Sequence, residues 1–286
     1  MMKKHAIILL GLVALISCST HTKKTPNWEN SKNILTPESA LYDANSGKVY
    51  VSNIDGAGDG KDQKGHISIL DKKGNTLDAK WLTGLNAPKG SRIYKDSLWI
   101  ADINRVVKVN LNTGKVMKMI YIKGAKFLND IAIDDNGVVY VSDTIGSKIY
   151  KIKNNSPSVF VKGAKYTSPN GLLIKGRILY VASWGLTTDW STKTPGHLYA
   201  LDLESKLLFN ITKKPLGNLD GLEFDRDGNF IVSDWVSGDI YKVTLEGEVT
   251  HLFKGSKGTA DIAVLPESKK IIIPSMLENK VYSIDF

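Results

Sequence analysis

Six polar side chains, spread along most of the chain, have the types needed to hold a cation. Three are carboxylates, two are amides and one is an amine, and they are Glu38, Asp220, Asp261, Asn129, Asn170 and Lys89. Carboxylate and amide oxygens are the ligands that calcium and other hard divalent cations prefer. Such chemistry requires that residues far apart in the sequence meet at one place, so the fold must supply the meeting point.

A sixfold repeat in the sequence indicates a fold that brings these polar residues together. The segments VYVSN, LWIAD, VYVSD, LYVAS, FIVSD and IIIPS end at residues 53, 102, 143, 183, 234 and 275. A second apolar strand follows each segment and a shorter one precedes it, and turns such as Lys175-Gly176 separate them. Four short antiparallel strands per unit, with a period near 40 residues, are typical of propeller blades. The sequence therefore predicts an all-β fold, a six-bladed β-propeller over residues 28–286.

The last repeat unit ends at its third strand and lacks an outer one. The segment around Trp28 to Leu35 could pair with that strand and close the ring. Closure of this kind removes the exposed edges that an open array of blades would leave. We therefore expect an N-terminal strand to complete the last blade.

Alignment of the units places one of the six polar residues at the start of each innermost strand, which lines the channel of a propeller. We call them the mouth residues: Glu38, Lys89, Asn129, Asn170, Asp220 and Asp261. Asn170-Gly171 alone would indicate a hairpin turn, but the repeat moves that turn to Lys175-Gly176. Converging carboxylates repel one another unless a cation neutralises them. From the residues alone, that cation is either a bound metal ion or the ammonium of Lys89.

The sequence around the mouth residues resembles the gluconolactonase/regucalcin family, also called the senescence-marker family. The motifs are Pro37-Glu38 ahead of Leu41-Tyr42-Asp43, Asn129-Asp130, Ser168-Pro169-Asn170-Gly171-Leu172 and Leu219-Asp220-Gly221-Leu222. The resemblance covers residues 34–286. It implies a divalent metal, with calcium expected and other divalent ions possible, bound by Glu38, Asn170 and Asp220. It also implies that Asn129 contacts substrate or a metal-bound water, and that Asp220 is the catalytic general base of a lactonase.

One departure from the family pattern leaves two functions open. Phe127 stands where lactonases of this group often carry an arginine that holds a sugar acid. The first function is a metal-dependent hydrolase of a lactone or related ester. The second is a non-catalytic binding module at the cell envelope. Both take a small molecule as substrate or ligand, and we expect the protein to be a monomer.

The loops that return to the mouth carry tryptophans. The segment SWGLTTDWSTKTPG contains Trp184 and Trp190, and the corresponding loop of the next unit contains Trp235. Aromatic rings around a polar mouth either bind an apolar or ring-shaped ligand or pack between blades. Trp184, together with Lys89 and Asn129, is therefore a candidate substrate-binding residue.

The N-terminal residues are typical of an exported lipoprotein. Residues 1–17 have a basic start and an apolar run too short to span a bilayer, which predicts a signal peptide. Leu15-Ile16-Ser17-Cys18 resembles a bacterial lipobox, and Cys18 is the single cysteine of the chain. We expect lipidation of Cys18, a polar tether over residues 18–27 and anchoring to the bacterial envelope, where Ser19 favours the outer membrane. The alternative is an ordinary signal peptide that contains a cysteine.

Charge and other motifs exclude several classes of function. The formal net charge is +9, but the lysines are spread along the chain without a basic block or a basic helix, so nucleic-acid binding is not expected. No G-x-S-x-G elbow occurs, which disfavours a serine hydrolase. The segment DGAGDGKDQKGH (55–66) is similar to a calcium loop but ends in His66 instead of glutamate, so it predicts a solvated loop.

Overall fold

Consecutive stretches of the chain form six four-stranded antiparallel sheets. The computed structural model describes residues 24–191 and 193–286. From the innermost strand outward, blade 1 consists of Pro37–Asp43, Lys48–Asn53, Gly65–Asp71 and Thr76–Leu85. Blade 2 consists of Pro88–Tyr94, Ser97–Asp102, Arg105–Asn110 and Val116–Tyr121. Blade 3 consists of Leu128–Ile133, Val139–Asp143, Lys148–Lys153 and Ser156–Lys162. Blade 4 consists of Pro169–Lys175, Ile178–Ser183, Leu198–Asp202 and Leu208–Asn210. Blade 5 consists of Leu219–Phe224, Phe230–Asp234, Asp239–Val243 and Val249–Lys254. Blade 6 consists of Ala263–Leu265, Lys270–Ser275, Lys280–Asp285 and Trp28–Asn30.

Short 3-10 helices are the helical elements of the described chain, at Ala164–Tyr166, Pro266–Ser268 and Met276–Glu278. In residues 24–191 and 193–286, no helix has the length and apolar character needed to cross a membrane. The predicted signal peptide (1–17) and Cys18 lie outside the described residues.

The ring closes through the N-terminal strand, as the missing outer strand of the last repeat predicts. Trp28 pairs with Ser283, and Asn30 pairs with Val281, in antiparallel register. At the centre of the ring, the backbone N–H of Asp261 donates to the carbonyl oxygen of Glu38 at 3.0 Å. Blade 6 is therefore joined to blade 1 at the innermost strand, and its outermost strand comes from the start of the propeller.

The hydrophobic core lies between the blades. Six clusters of buried side chains each fill the space between two neighbouring sheets. Between blades 1 and 2, for example, Ile67 and Ile69 pack against Leu98, Ile100 and Val107. Because both faces of a blade are covered, the second strands read as nearly continuous apolar runs instead of alternating ones. This burial on two sides produces the VYVSD-type repeat.

Candidate functional site

A β-bulge turns most of the mouth residues into the channel. The pairing of the innermost strand with its neighbour shifts register around Glu38, Lys89, Asn129, Asn170 and Asp220. A bulge leaves a residue unpaired and re-aims its side chain, and bulges are over-represented beside functional sites. Five blades thus use the same backbone device to present one polar side chain each.

Serines of the repeat hold the mouth residue of the following blade. The hydroxyl of Ser52 in blade 1 donates to the carbonyl oxygen of Lys89 in blade 2 at 2.7 Å. The hydroxyl of Ser142 in blade 3 donates to the carbonyl oxygen of Asn170 in blade 4, also at 2.7 Å. Both serines are buried. The serine of VYVSN and VYVSD therefore fixes the backbone from which the next mouth residue projects.

Glycines after two mouth residues allow the innermost strands to approach closely. A Cβ on Gly171 would lie 2.0 Å from the carbonyl oxygen of Asp220. A Cβ on Gly221 would lie 2.4 Å from the backbone nitrogen of Ile262. The Asn170-Gly171 pair is thus a mouth residue followed by a residue without a side chain, as the repeat register indicates, and not the tip of a hairpin.

Five of the six mouth residues line one cavity of about 380 Å³: Glu38, Lys89, Asn129, Asn170 and Asp220. All five are buried. Asp261, the sixth, is also buried but is not part of the cavity lining; its Oδ2 accepts a hydrogen bond of 2.7 Å from the Ser39 hydroxyl. The structure therefore brings together every catalytic, substrate-binding and metal candidate in the propeller that the sequence singled out, and it directs Asp261 toward blade 1.

Asn170 and Asp220 are directly hydrogen-bonded. The Asn170 amide nitrogen donates to Asp220 Oδ1 at 2.9 Å and to the carbonyl oxygen of Leu219 at 3.0 Å. The amide oxygen of Asn170 lies 3.3 Å from the Thr144 hydroxyl, which can donate to it. These contacts fix the orientation of the amide and place two of the three predicted metal ligands side by side.

Glu38 and Lys89 face each other across the same cavity. Glu38 Oε1 lies 3.9 Å from the Lys89 ammonium, while Glu38 Oε2 is buried without a hydrogen-bond partner among the described residues. Burial raises the pKa of Glu38 to about 7; Lys89 opposes this rise and Asp130 adds to it. Burial, helped by Glu38 and Asp130, raises the pKa of Asp220 well above its usual range. The protonation of these two carboxyl groups therefore depends on the charges around them. A positive charge nearby favours the ionised form, and a negative charge favours the protonated form.

Lys89 is a buried cation inside the site. Burial lowers the pKa of its ammonium, and the nearby Glu38 and Asp220 oppose that shift. Its Nζ atom lies 4.3 Å from the centre of the Phe127 ring, close enough for a cation–π contact. Lys89 thus supplies one positive charge next to two carboxyl groups.

A second charged network closes the channel below the cavity. The guanidinium of Arg92, in the innermost strand of blade 2, pairs with Glu223 in the innermost strand of blade 5 on the opposite side of the ring. It also donates to the carbonyl oxygens of Ile131 and Leu172 and lies 3.9 Å from Asp130. Burial raises the pKa of Asp130 to about 6, although Arg92 opposes this rise. Arg92 therefore spans the channel and forms a floor under the cavity.

Part of the cavity wall is aromatic. Trp184, which the sequence singled out, lines the cavity together with Phe127, Trp190 and Trp235. Gly58, Asp59, Lys257 and Met276 complete the lining. The loop over residues 55–66 thus contributes Gly58 and Asp59 to the site, beyond the solvated role that its sequence indicated.

The predicted metal ligands consist of two carboxylates and one amide. In residues 24–191 and 193–286, no group of three or more His, Cys, Asp or Glu side chains is arranged to hold a metal ion. The donor types nevertheless suit a hard cation, and the buried Oε2 of Glu38 has no hydrogen-bond partner among the described residues. A cation at Glu38, Asn170 and Asp220 would have to share the cavity with the ammonium of Lys89.

Comparison with solved structures identifies other propellers of similar shape. A virginiamycin B lyase from Staphylococcus aureus gives a TM-score of 0.61 at 14% identity, over 87% of this chain and 81% of the other. A streptogramin B lyase gives 0.63 at 10% identity, over 90% and 97%. A catalytically inactive histidine-to-alanine variant of the Staphylococcus aureus lyase, with quinupristin, gives 0.61 at 12% identity, over 91% and 98%.

These likenesses confirm the six-bladed β-propeller, and at such low identity they concern the fold alone. Neither the family models nor the curated protein sequences compared with the chain give a match. Membership of the gluconolactonase/regucalcin family is not confirmed by these comparisons, so it remains a proposal.

Proposed function

We propose that the protein is a propeller hydrolase of the gluconolactonase/regucalcin type, which acts on a lactone or a related ester at the channel mouth. One observation carries the proposal. Two buried carboxyl groups, Glu38 and Asp220, face one cavity together with the amides Asn129 and Asn170. Buried carboxyl groups with raised pKa values cluster at catalytic sites, where they exchange protons near neutral pH.

In this proposal Asp220 is the general base. Its ionised carboxylate, held in place by the hydrogen bond from Asn170, accepts a proton from the water that attacks the carbonyl carbon. The ester C–O bond then breaks, and the leaving oxygen takes up that proton. Asn129, in the innermost strand of blade 3, offers its side-chain amide to the substrate. Lys89 places a positive charge where negative charge develops on the substrate oxygen, an effect that is strong inside a buried site.

We further propose that Glu38, Asn170 and Asp220 hold a divalent cation, with calcium the first choice. When bound, such a cation polarises a carbonyl group and lowers the pKa of a water molecule. The charge balance of the channel supports this assignment. Lys89 and Arg92 are the cationic partners of five buried or partly buried acidic residues there: Glu38, Asp130, Asp220, Glu223 and Asp261.

The lyases of similar fold do not supply a competing mechanism. A histidine-to-alanine variant of one of them is described as catalytically inactive. Among the described residues of this chain, no histidine lines the cavity. A catalytic propeller is therefore consistent with the structural neighbours, while the reaction proposed for this chain rests on its own carboxyl groups.

A panel of lactones and two variants test the proposal. Calorimetry with calcium and manganese should detect binding by the purified protein and no binding by Glu38→Gln. Asp220→Asn should lower lactone hydrolysis by about two orders of magnitude or more, with an unchanged circular dichroism spectrum. Turnover without cation binding would assign the neutralising role to Lys89 instead. Thermal stabilisation by ligands without any turnover would favour the binding module.

We also propose that the protein is exported and tethered to the bacterial envelope through Cys18, with the mouth facing away from the membrane. The mouth lies where the innermost strands begin. Trp28 pairs with Ser283, near the end of the strand Lys280–Asp285 that lies away from the mouth. Its indole N–H donates to the carbonyl oxygen of Lys72, in a turn on the propeller face opposite the mouth. Metabolic labelling with a fatty acid, abolished by Cys18→Ala, tests the anchor; label retained in that variant would contradict it.

A further inference from the structure

We propose that the substrate of this site carries an aromatic or similarly flat apolar group, which lies against the aromatic rings that line the cavity together with the carboxyl groups. This inference rests on the proposed function for the reacting group and on the cavity wall for the rest of the molecule. We call the rings of Phe127, Trp184, Trp190 and Trp235 the aromatic wall.

The aromatic wall is continuous and crosses three blades. The centre of the Phe127 ring lies 4.5 Å from that of Trp190, which lies 5.4 Å from that of Trp184. Trp184 lies 5.9 Å from Trp235. The first two contacts are edge-to-face and the third is tilted, so rings of different orientation surround the cavity. Offset and edge-to-face contacts are the geometries that aromatic groups favour.

Hydrogen bonds hold the wall in shape. The indole N–H of Trp184 donates to the carbonyl oxygen of Ser191 at 3.3 Å, and its own carbonyl oxygen accepts from the Asn218 amide at 2.7 Å. The backbone N–H of Phe127 donates to Asp143 Oδ1 at 2.9 Å. Trp184 and Phe127 are buried, whereas Trp190 is 37% exposed at the rim. A flat ligand would therefore cover rings of Trp184 and Phe127 that these contacts already hold in place. The two side chains would lose little further conformational entropy on binding.

The two kinds of cavity lining suit different parts of one molecule. Glu38, Asn129 and Asp220 line the cavity with polar atoms from the starts of the innermost strands, while the aromatic wall lines it with ring carbons from the adjoining loops. The cavity of about 380 Å³ falls in the range of small-molecule sites. Any hydroxyl group that a polyhydroxylated ligand turns toward the ring faces of the wall would lack a hydrogen-bond partner, and unpaired buried polar groups weaken binding strongly. The site therefore favours an aryl-bearing lactone or ester over a sugar lactone.

Three lactones that share a six-membered lactone ring separate these possibilities: dihydrocoumarin, δ-valerolactone and glucono-δ-lactone. Binding is measured by tryptophan fluorescence in Asp220→Asn, so that affinity is read without turnover. We expect dihydrocoumarin to bind about tenfold more tightly than δ-valerolactone, and glucono-δ-lactone to bind most weakly. Trp190→Ala in the same background should remove most of that preference. Phe209→Ala, which removes an exposed ring on the outer strand of blade 4, is the matched control and should leave it unchanged.

Equal affinity for the three lactones, or a preference for glucono-δ-lactone, would overturn the inference even if the protein hydrolyses lactones. A preference for dihydrocoumarin that Trp190→Ala does not reduce would also overturn it. Selective binding of dihydrocoumarin by a protein that hydrolyses no lactone would support the aromatic wall and reject the hydrolase, so the two proposals fail separately.

Discussion

Replacing Glu38 with glutamine should alter how the stability of the protein depends on pH. Burial raises the pKa of Glu38 in the folded protein from 4.5 to about 7. The folded state then binds this proton more tightly than the unfolded chain does. The stabilisation is fully present below about pH 4.5 and is lost as the pH rises through 7.

The size of the effect follows from the shift. Each pKa unit corresponds to about 1.4 kcal/mol, so Glu38 alone should cost the cation-free protein on the order of 3 kcal/mol between pH 4.5 and pH 8. Glu38→Gln removes this cost. It should also lessen the cost of ionising Asp220, because the charge of Glu38 contributes to the raised pKa of that residue. The variant should therefore lose less stability than the wild type as the pH rises.

Reversible urea unfolding in the presence of a chelator, at several pH values between 4.5 and 8, measures this difference. The wild-type free energy of unfolding should fall across the range by about 3 kcal/mol more than that of Glu38→Gln. Glu246→Gln, at an exposed position, is the control and should follow the wild type. Parallel curves for wild type and Glu38→Gln would show that Glu38 is not held in a raised-pKa environment, and the charge argument for the site would fail.

Three further changes test other parts of the structure. Lys89→Met removes the cation 3.9 Å from Glu38 and should raise calcium affinity at least tenfold by calorimetry; unchanged affinity would mean that Lys89 and the cation do not compete. Arg92→Met leaves Glu223 unpaired in the channel and should cost about 3–5 kcal/mol in urea unfolding, a loss that added Glu223→Gln should partly restore; a neutral single variant would contradict the charged floor. Ile34→Ala empties a buried site between blades 6 and 1 and should cost about 2–5 kcal/mol, seen as a lower unfolding midpoint; an unchanged midpoint would show that the closing segment does not stabilise the ring.

The fold could be predicted from the sequence because every blade repeats the same local pattern. A blade buries both faces against its neighbours, so its second strand is apolar in each copy and marks the register of the whole unit. The same register located Glu38, Lys89, Asn129, Asn170 and Asp220 without reference to long-range contacts. The closing strand at Trp28–Asn30 followed from counting strands in the last repeat.

Asp261 marks the limit of that alignment. The innermost strand of its blade, Ala263–Leu265, is short. The pairing of this strand with Lys270–Ser275 lacks the bulge that turns the other mouth residues inward. The backbone of Asp261 pairs with blade 1 instead, and its carboxylate accepts from Ser39. Alignment gives the position of a residue in its blade but not the direction that a bulge gives its side chain.

The channel floor and the aromatic wall depend on contacts that no repeat encodes. Arg92 and Glu223 meet because blades 2 and 5 lie opposite each other, and their sequence environments resemble those of ordinary surface charges. The sequence signal for this floor was that Arg92 and Glu223 are charged residues inside innermost strands, whose side chains face the channel. Trp190 and Trp235 reach the cavity through loops whose paths depend on neighbouring blades.

Acidic and amide residues occupy two kinds of position in several blades, and the structure separates their roles. Asp102 and Asp143 end second strands, and each carboxylate accepts backbone N–H groups just ahead of the mouth residue of its own blade, from Ala87 and Phe127 at 2.9 Å. Asn53 does the same in blade 1 with Leu35 at 3.0 Å. In these three blades the residue that ends the second strand fastens the backbone that leads to the mouth residue. The mouth residues do not fasten the backbone of their own blade in this way, so acid, amide and amine can alternate there, and the variation among blades, more than the repetition, locates the chemistry of this propeller.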